Sequence, residues 1–63
     1  MTVSDMIFIM LNKKNGKIIY IKASEIIVVE ESPYEGSYVY LKNGQTEHVE
    51  EKASEILVKM SKR

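Results

Sequence analysis

Few residues in this chain are of types that do chemistry, and their spacing limits what that chemistry could be. His48 is the single histidine, set between Thr46-Glu47 and Val49-Glu50 without a nucleophile signature beside it. A general base must lie within hydrogen-bond reach of the proton it removes, and no local pattern supplies such a partner. His48 therefore reads as a strand residue. Glu47, His48, Glu50 and Glu51 have the donor types of a metal site. Along a strand, however, neighbours alternate faces, which turns carboxylates away from the imidazole. Solvated charge ahead of a helix accounts for them better. Glu30, Glu31 and Glu35 could do acid–base work if buried and close. Flanking Pro33 and Gly36, they read instead as a wet turn. The expectation is no catalytic residue, no metal site, no cofactor and no enzyme.

Binding chemistry is better represented. Lys13, Lys14 and Lys17 bracket Asn15-Gly16, and turn amides beside ammonium groups could hold a phosphate or another anion. No phosphate-loop pattern accompanies them, so a solvated hairpin tip is the plainer reading. Tyr20, Tyr34, Tyr38 and Tyr40 are all 4 tyrosines of the chain. Tyr38 and Tyr40 share one face of a strand, and Tyr20 is expected to join them from its neighbour. Tyrosine combines apolar area with a polar tip, which suits ligand pockets and interfaces. A core face or a subunit contact fits equally well, and both readings stay open.

The elements that must position these residues are short. Met6 to Leu11, Ile18 to Ile21, Ile26 to Val29 and Tyr38 to Leu41 are apolar runs rich in Ile, Val, Tyr or Phe, the length and chemistry of strands. Asn15-Gly16 and Asn43-Gly44 supply hairpin turns, through positive φ at successive positions, with room for a bulge in the first loop. Pro33 and Gly36 make the segment from Glu31 to Ser37 a loop. Ala53, Ile56, Leu57 and Met60 fall on one helical face. Glu50, Glu51 and Glu55 near its start and Lys59, Lys62 and Arg63 near its end complement the helix dipole. The pattern predicts strands over about 5–11, 17–22, 26–31, 37–42 and 45–49 and a helix over about 51–61. The fold class is α+β and β-rich, a four- to five-stranded, mainly antiparallel sheet of hairpins followed by one C-terminal helix. Lys22-Ala23-Ser24-Glu25-Ile26 recurs as Lys52-Ala53-Ser54-Glu55-Ile56. With mismatched flanks, the repeat reads as coincidence or as a shared turn-forming use of Ala-Ser-Glu, not as a solenoid unit.

At 63 residues the chain makes one domain. Such a domain buries only about 60% of its unfolded surface and usually needs support from disulfides, metal or association. With Cys at 0, association is what remains, and a cytosolic setting is favoured. No run approaches the roughly 18 apolar residues of a membrane span, and Met1-Thr2-Val3-Ser4-Asp5 lacks the basic start of a signal peptide. Lys plus Arg at 9 balance Asp plus Glu at 9, which disfavours a nucleic-acid partner. The runs at Met6–Leu11 and Ile26–Val29 are apolar on both faces, as in sheets covered on both sides. One helix covers part of one face only. The other face predicts a second copy, by sheet packing or edge pairing.

The order of features resembles a known family. Leu11-Asn12 with Asn15-Gly16, Ser24-Glu25-Ile26, Pro33, Leu41, Asn43-Gly44, Val49-Glu50-Glu51 and Glu55-Ile56 follow the pattern of small flagellar FlbD-type, or swarming-motility, proteins from Met6 to Met60. Lys13, Lys14 and Asn15 intervene where that family has a compact Leu-Asn-Gly, and Pro33-Tyr34-Glu35 stands for its Pro-Asp-Thr. The resemblance implies an accessory role through protein contacts, with no catalytic residues to carry over. Ile18 to Val49 is similar in part to the strands of LytTR-type DNA-binding domains, which are longer and more basic. Three functions compete. The first is a homo-oligomeric protein-interaction module. The second is a binder of a small anionic or nucleotide-like ligand between subunits, as a phage counter-defence sequestering protein would be. The third is a DNA binder. The oligomer expectation has a direct check: light scattering at micromolar concentration should give at least twice 7.3 kDa, and a monodisperse monomer would defeat it.

Overall fold

In a strand, alternate residues point to opposite sides, and the pairing of the first hairpin sorts its side chains accordingly. The computed structural model describes residues 7–61. Residues 5 and 6 of the predicted first strand, the segment weighed as a signal peptide, and Lys62 and Arg63 lie outside them. Strands β1 (Phe8–Asn12) and β2 (Ile18–Lys22) pair antiparallel, with Ile9 opposite Ile21, Met10 opposite Tyr20 and Leu11 opposite Ile19. Ile9, Leu11 and Ile21 are buried, while Phe8, Met10, Ile18 and Tyr20 are exposed. A single turn of 3-10 helix (Ala23–Glu25) leads into β3 (Ile26–Glu31), which pairs with β4 (Ser37–Leu41), and β4 with β5 (Thr46–Val49). Helix α1 (Ala53–Ser61) closes the described chain.

The expected antiparallel hairpins and C-terminal helix are therefore present, with the strands divided between two sheets, β1-β2 and β3-β4-β5. The sheets meet at one corner. Lys13 bridges to Val49, the Lys14 amide donates to the His48 carbonyl at 3.0 Å, and the Glu50 amide donates to the Asn12 carbonyl at 2.7 Å. Their inner faces share one core of Ile9, Leu11, Ile21, Val39, Val49 and Ile56, flanked by Ile26, Val29, Leu41 and Met60.

Both hairpin tips use one design. Gly16 and Gly44 each take φ of 91°, and among the described residues every positive φ belongs to glycine. Asn15 and Asn43 are thus not left-handed, contrary to the turn expected from Asn-Gly. Their side-chain carbonyls instead accept the amides of Lys17 at 3.0 Å and Gln45 at 2.9 Å. Three-residue loops suit a type I turn followed by one left-handed glycine, so the longer loop decides against positive φ at both positions. Gly36 is more confined. At φ 83° it lies so close to the Val49 carbonyl that a Cβ would overlap the oxygen.

The helix begins at Ala53, two residues after the expected start, because Glu51 is used elsewhere. Its side chain is 8% exposed, not solvated as the sequence suggested. Among the described residues, strand β1 has β2 on one edge only, and on the other edge the Asn12 amide points at Glu51. That amide donates to both Glu51 carboxylate oxygens at 3.0 and 3.1 Å, and Asn12 Nδ2 donates to Oε2 at 2.7 Å. Lys59 Nζ lies 3.9 Å from the same carboxylate and donates to the Met10 carbonyl at 2.7 Å. On the other side, the fully buried Ser37 hydroxyl donates to the Glu51 carbonyl at 2.9 Å. One residue so joins β1, β4 and α1. Glu55 completes the helix start by accepting the Lys52 amide at 3.2 Å, half of a capping box.

A buried donor left without its acceptor costs about 1–3 kcal/mol. Replacement of Glu51 by Ala should lower unfolding free energy in urea by at least that range, and Glu50→Ala, on an exposed neighbour, by less than about 0.5 kcal/mol. Equal effects would remove the assigned role of Glu51.

Candidate functional site

Alternation along β1 and β2 sends half of their large side chains into the core and leaves the rest on one outward face. Phe8, Met10, Ile18 and Tyr20 stand there 58%, 42%, 53% and 67% exposed. Met10 and Tyr20 are directly opposite each other, with Phe8 beside Lys22 at one end and Asn12 beside Ile18 at the other. Lys59 borders the face from α1, next to Phe8 and Met10. Among the described residues, Lys22 and Lys59 stand at its margin and Glu25 and Glu47 share an open pocket with Tyr20, while the central Met10–Tyr20 pair carries no charge. Such a surface can bind apolar surface of matching shape.

Tyr20 belongs to this face and does not join Tyr38 and Tyr40 as expected. Strand β2 pairs with β1, not with β4, so Tyr20 projects from a different sheet. Tyr38 and Tyr40 do share one face, the outer side of β4, with Glu30, Val28, Thr46 and His48 across from them. The Tyr38 ring stacks on His48 with centroids 4.3 Å apart. His48 is half-buried and its Nε2 has no partner among the described residues. Tyr34 stands in the loop at 86% exposure, held by a Ser32 hydroxyl that accepts its amide at 3.1 Å. Of the lysines, Lys13 pairs with Glu47 at 3.2 Å, while Lys14 and Lys17 are exposed at the hairpin tip. The seven candidate residues thus fall on three surfaces and the loop: the tip, the outer face of β1-β2 and the outer face of β3-β4-β5.

Glu30 and Glu31 part company, because neighbours in β3 face opposite ways. Glu30 accepts the Tyr40 hydroxyl at 2.8 Å. Glu31 and Glu35 border an open cleft of about 500 Å³ with Tyr34, Glu50, Lys52 and Glu55. No group of three or more His, Cys, Asp or Glu among the described residues is placed to hold a metal ion, and no helix among them is long and apolar enough to cross a membrane.

The sequence marks Met6–Leu11 as apolar on both faces, but it does not single out Phe8, Met10 and Ile18 as binding residues. Met6–Leu11 and Ile18–Ile21 are apolar at successive positions, so whichever parity turned inward, the other had to face out. No protein-family model, curated protein or solved structure matches the chain.

The Glu30 carboxylate shifts one titration. Its hydrogen bond from the Tyr40 hydroxyl is the largest of the causes that raise the Tyr40 pKa above the ordinary tyrosine value, followed by lost hydration, the Glu30 charge and the neighbouring Tyr38. The hydrogen bond exists while the phenol keeps its proton and is lost as rising pH ionises it. Ultraviolet titration of phenolate should show the Tyr40 midpoint fall in Glu30→Gln; an unmoved midpoint would mean the pair does not form in solution.

Proposed function

We propose that this chain is a non-enzymatic protein-interaction module that works through the outer face of β1-β2. The observation that carries the reading is the set Phe8, Met10, Ile18 and Tyr20, each 42% exposed or more on one small sheet face. Scattered apolar residues are ordinary on a protein surface, whereas a contiguous group marks an interaction surface. An aromatic pair with Met and Ile, and charge only at the margin, is also the composition of interface centres.

The dispersal of the candidate binding residues supports surface contact over a convergent ligand pocket. Lys13, engaged with Glu47, is not free to join Lys14 and Lys17 around an anion, so the small-ligand reading has less support. A motility accessory role rests on the FlbD-type resemblance alone, and a cytosolic setting on the absence of cysteine.

The test is site-specific photo-crosslinking in cells that express the chain. A benzoylphenylalanine placed at Tyr20 should give discrete covalent adducts, of any partner mass, and one placed at Asn43, in the other hairpin tip, should give few. Absence of adducts at Tyr20 would defeat the reading.

A further inference from the structure

We infer that the occupant of the β1-β2 outer face is a second copy of this chain, packed face to face about a two-fold axis. The inference rests on the interaction reading above and adds the partner and the geometry.

Area is the first argument. At roughly 200 Å² per large side chain, Phe8, Met10, Ile18 and Tyr20 show on the order of 450 Å² to water. A stable interface takes roughly 800 Å² from each partner. The four residues supply about half of that as a dry centre, and the adjoining Asn12, Lys22 and Lys59 can supply a rim.

Chemistry is the second. The centre holds no charge, so it selects a partner face that is equally apolar and flat. This face meets that requirement itself, and isologous contact uses it twice. The place of Lys22 agrees with one orientation. An axis lying in the face, across the strands at the Met10–Tyr20 pair, lays β2 over β2 of the partner with ends reversed. Lys22 of each copy then covers the Ile18 end of the other through its aliphatic stem, and the two Lys22 ammonium groups do not meet. Tyr20 and Met10 lie nearest the axis. The association also gives a short chain with Cys at 0 a second apolar layer, the support that domains of this size need.

With no native cysteine, single cysteines report the geometry directly. Light scattering at micromolar concentration should give about twice 7.3 kDa, falling twofold in Tyr20→Asp and in Ile18→Asp. Both positions are outside the core, and circular dichroism confirms folding of each. A short bis-maleimide should link Tyr20→Cys to itself in high yield and leave Thr46→Cys, on the outer face of the other sheet, unlinked. A dimer that persists in both Asp variants, or that links through Thr46→Cys in place of Tyr20→Cys, overturns the inference because copies meet elsewhere. A monomeric wild-type chain overturns it too. In that case heavier photo-adducts at Tyr20 would keep the interaction reading standing with a different protein as partner, whereas loss of those adducts would end both.

Discussion

A carboxylate that has almost no water must be met by donors, and Glu51 is where this chain meets that demand. Its charge takes the Asn12 backbone amide, the Asn12 side-chain amide and the nearby Lys59 ammonium, and its own carbonyl takes the Ser37 hydroxyl. These groups come from β1, from α1 and from β4. The arrangement does for the free edge of β1 what a further strand would do. The carboxylate receives an edge N–H, and Lys59 gives a proton donor to an edge C=O at Met10. Edges left open invite pairing with other chains. Here part of the edge is closed by side chains, which also fixes where α1 lies.

Once α1 is held beside β1, the fate of both β1-β2 faces follows. The helix delivers Ile56 to the shared interior with Ile9, Leu11 and Ile21, so those residues have their cover. Nothing in the described chain remains to cover Phe8, Met10, Ile18 and Tyr20. The surface to which function is assigned is therefore the complement of the core, produced by the same alternation and made of the same residue types. Changing which parity faced inward would exchange one for the other, and the Glu51 contacts with Asn12 act together with the Lys13–Val49 bridge and the Lys14 and Glu50 amide hydrogen bonds to hold β1 in its place.

Much of this was legible in the residues, and the failures have identifiable causes. The expected strands match within one or two residues wherever they are described, because Ile, Val and Tyr runs bounded by Asn-Gly, Pro and Gly leave few alternatives. Helix α1 was visible in the spacing of Ala53, Ile56 and Met60. Its start was misplaced because Glu51 looks, in sequence, like any carboxylate ahead of a helix. Its burial depends on Asn12, thirty-nine positions away, and no local pattern carries that distance. Tyr20 was misassigned for a similar reason, since strand pairing between non-neighbours is not encoded in periodicity. Asn43 was given the wrong backbone because the two-residue turn was weighed ahead of the loop length that surrounds it, while around Asn15 the longer loop was expected to leave room for a bulge.

The repeated Lys-Ala-Ser-Glu-Ile has a use in both places that neither copy reveals alone. Each Ala-Ser-Glu forms one helical turn, in the 3-10 segment at Ala23–Glu25 and in the opening of α1 at Ala53. Each then hands an isoleucine, Ile26 or Ile56, to the same interior. What differs is the continuation, where Ile-Val-Val extends into a strand and Leu-Val-Lys-Met keeps winding. The motif behaves as a swivel: it redirects the backbone and sets one anchor, while the residues downstream choose the conformation. A short word repeated in a chain can thus mark a common mechanical task without common ancestry or common secondary structure.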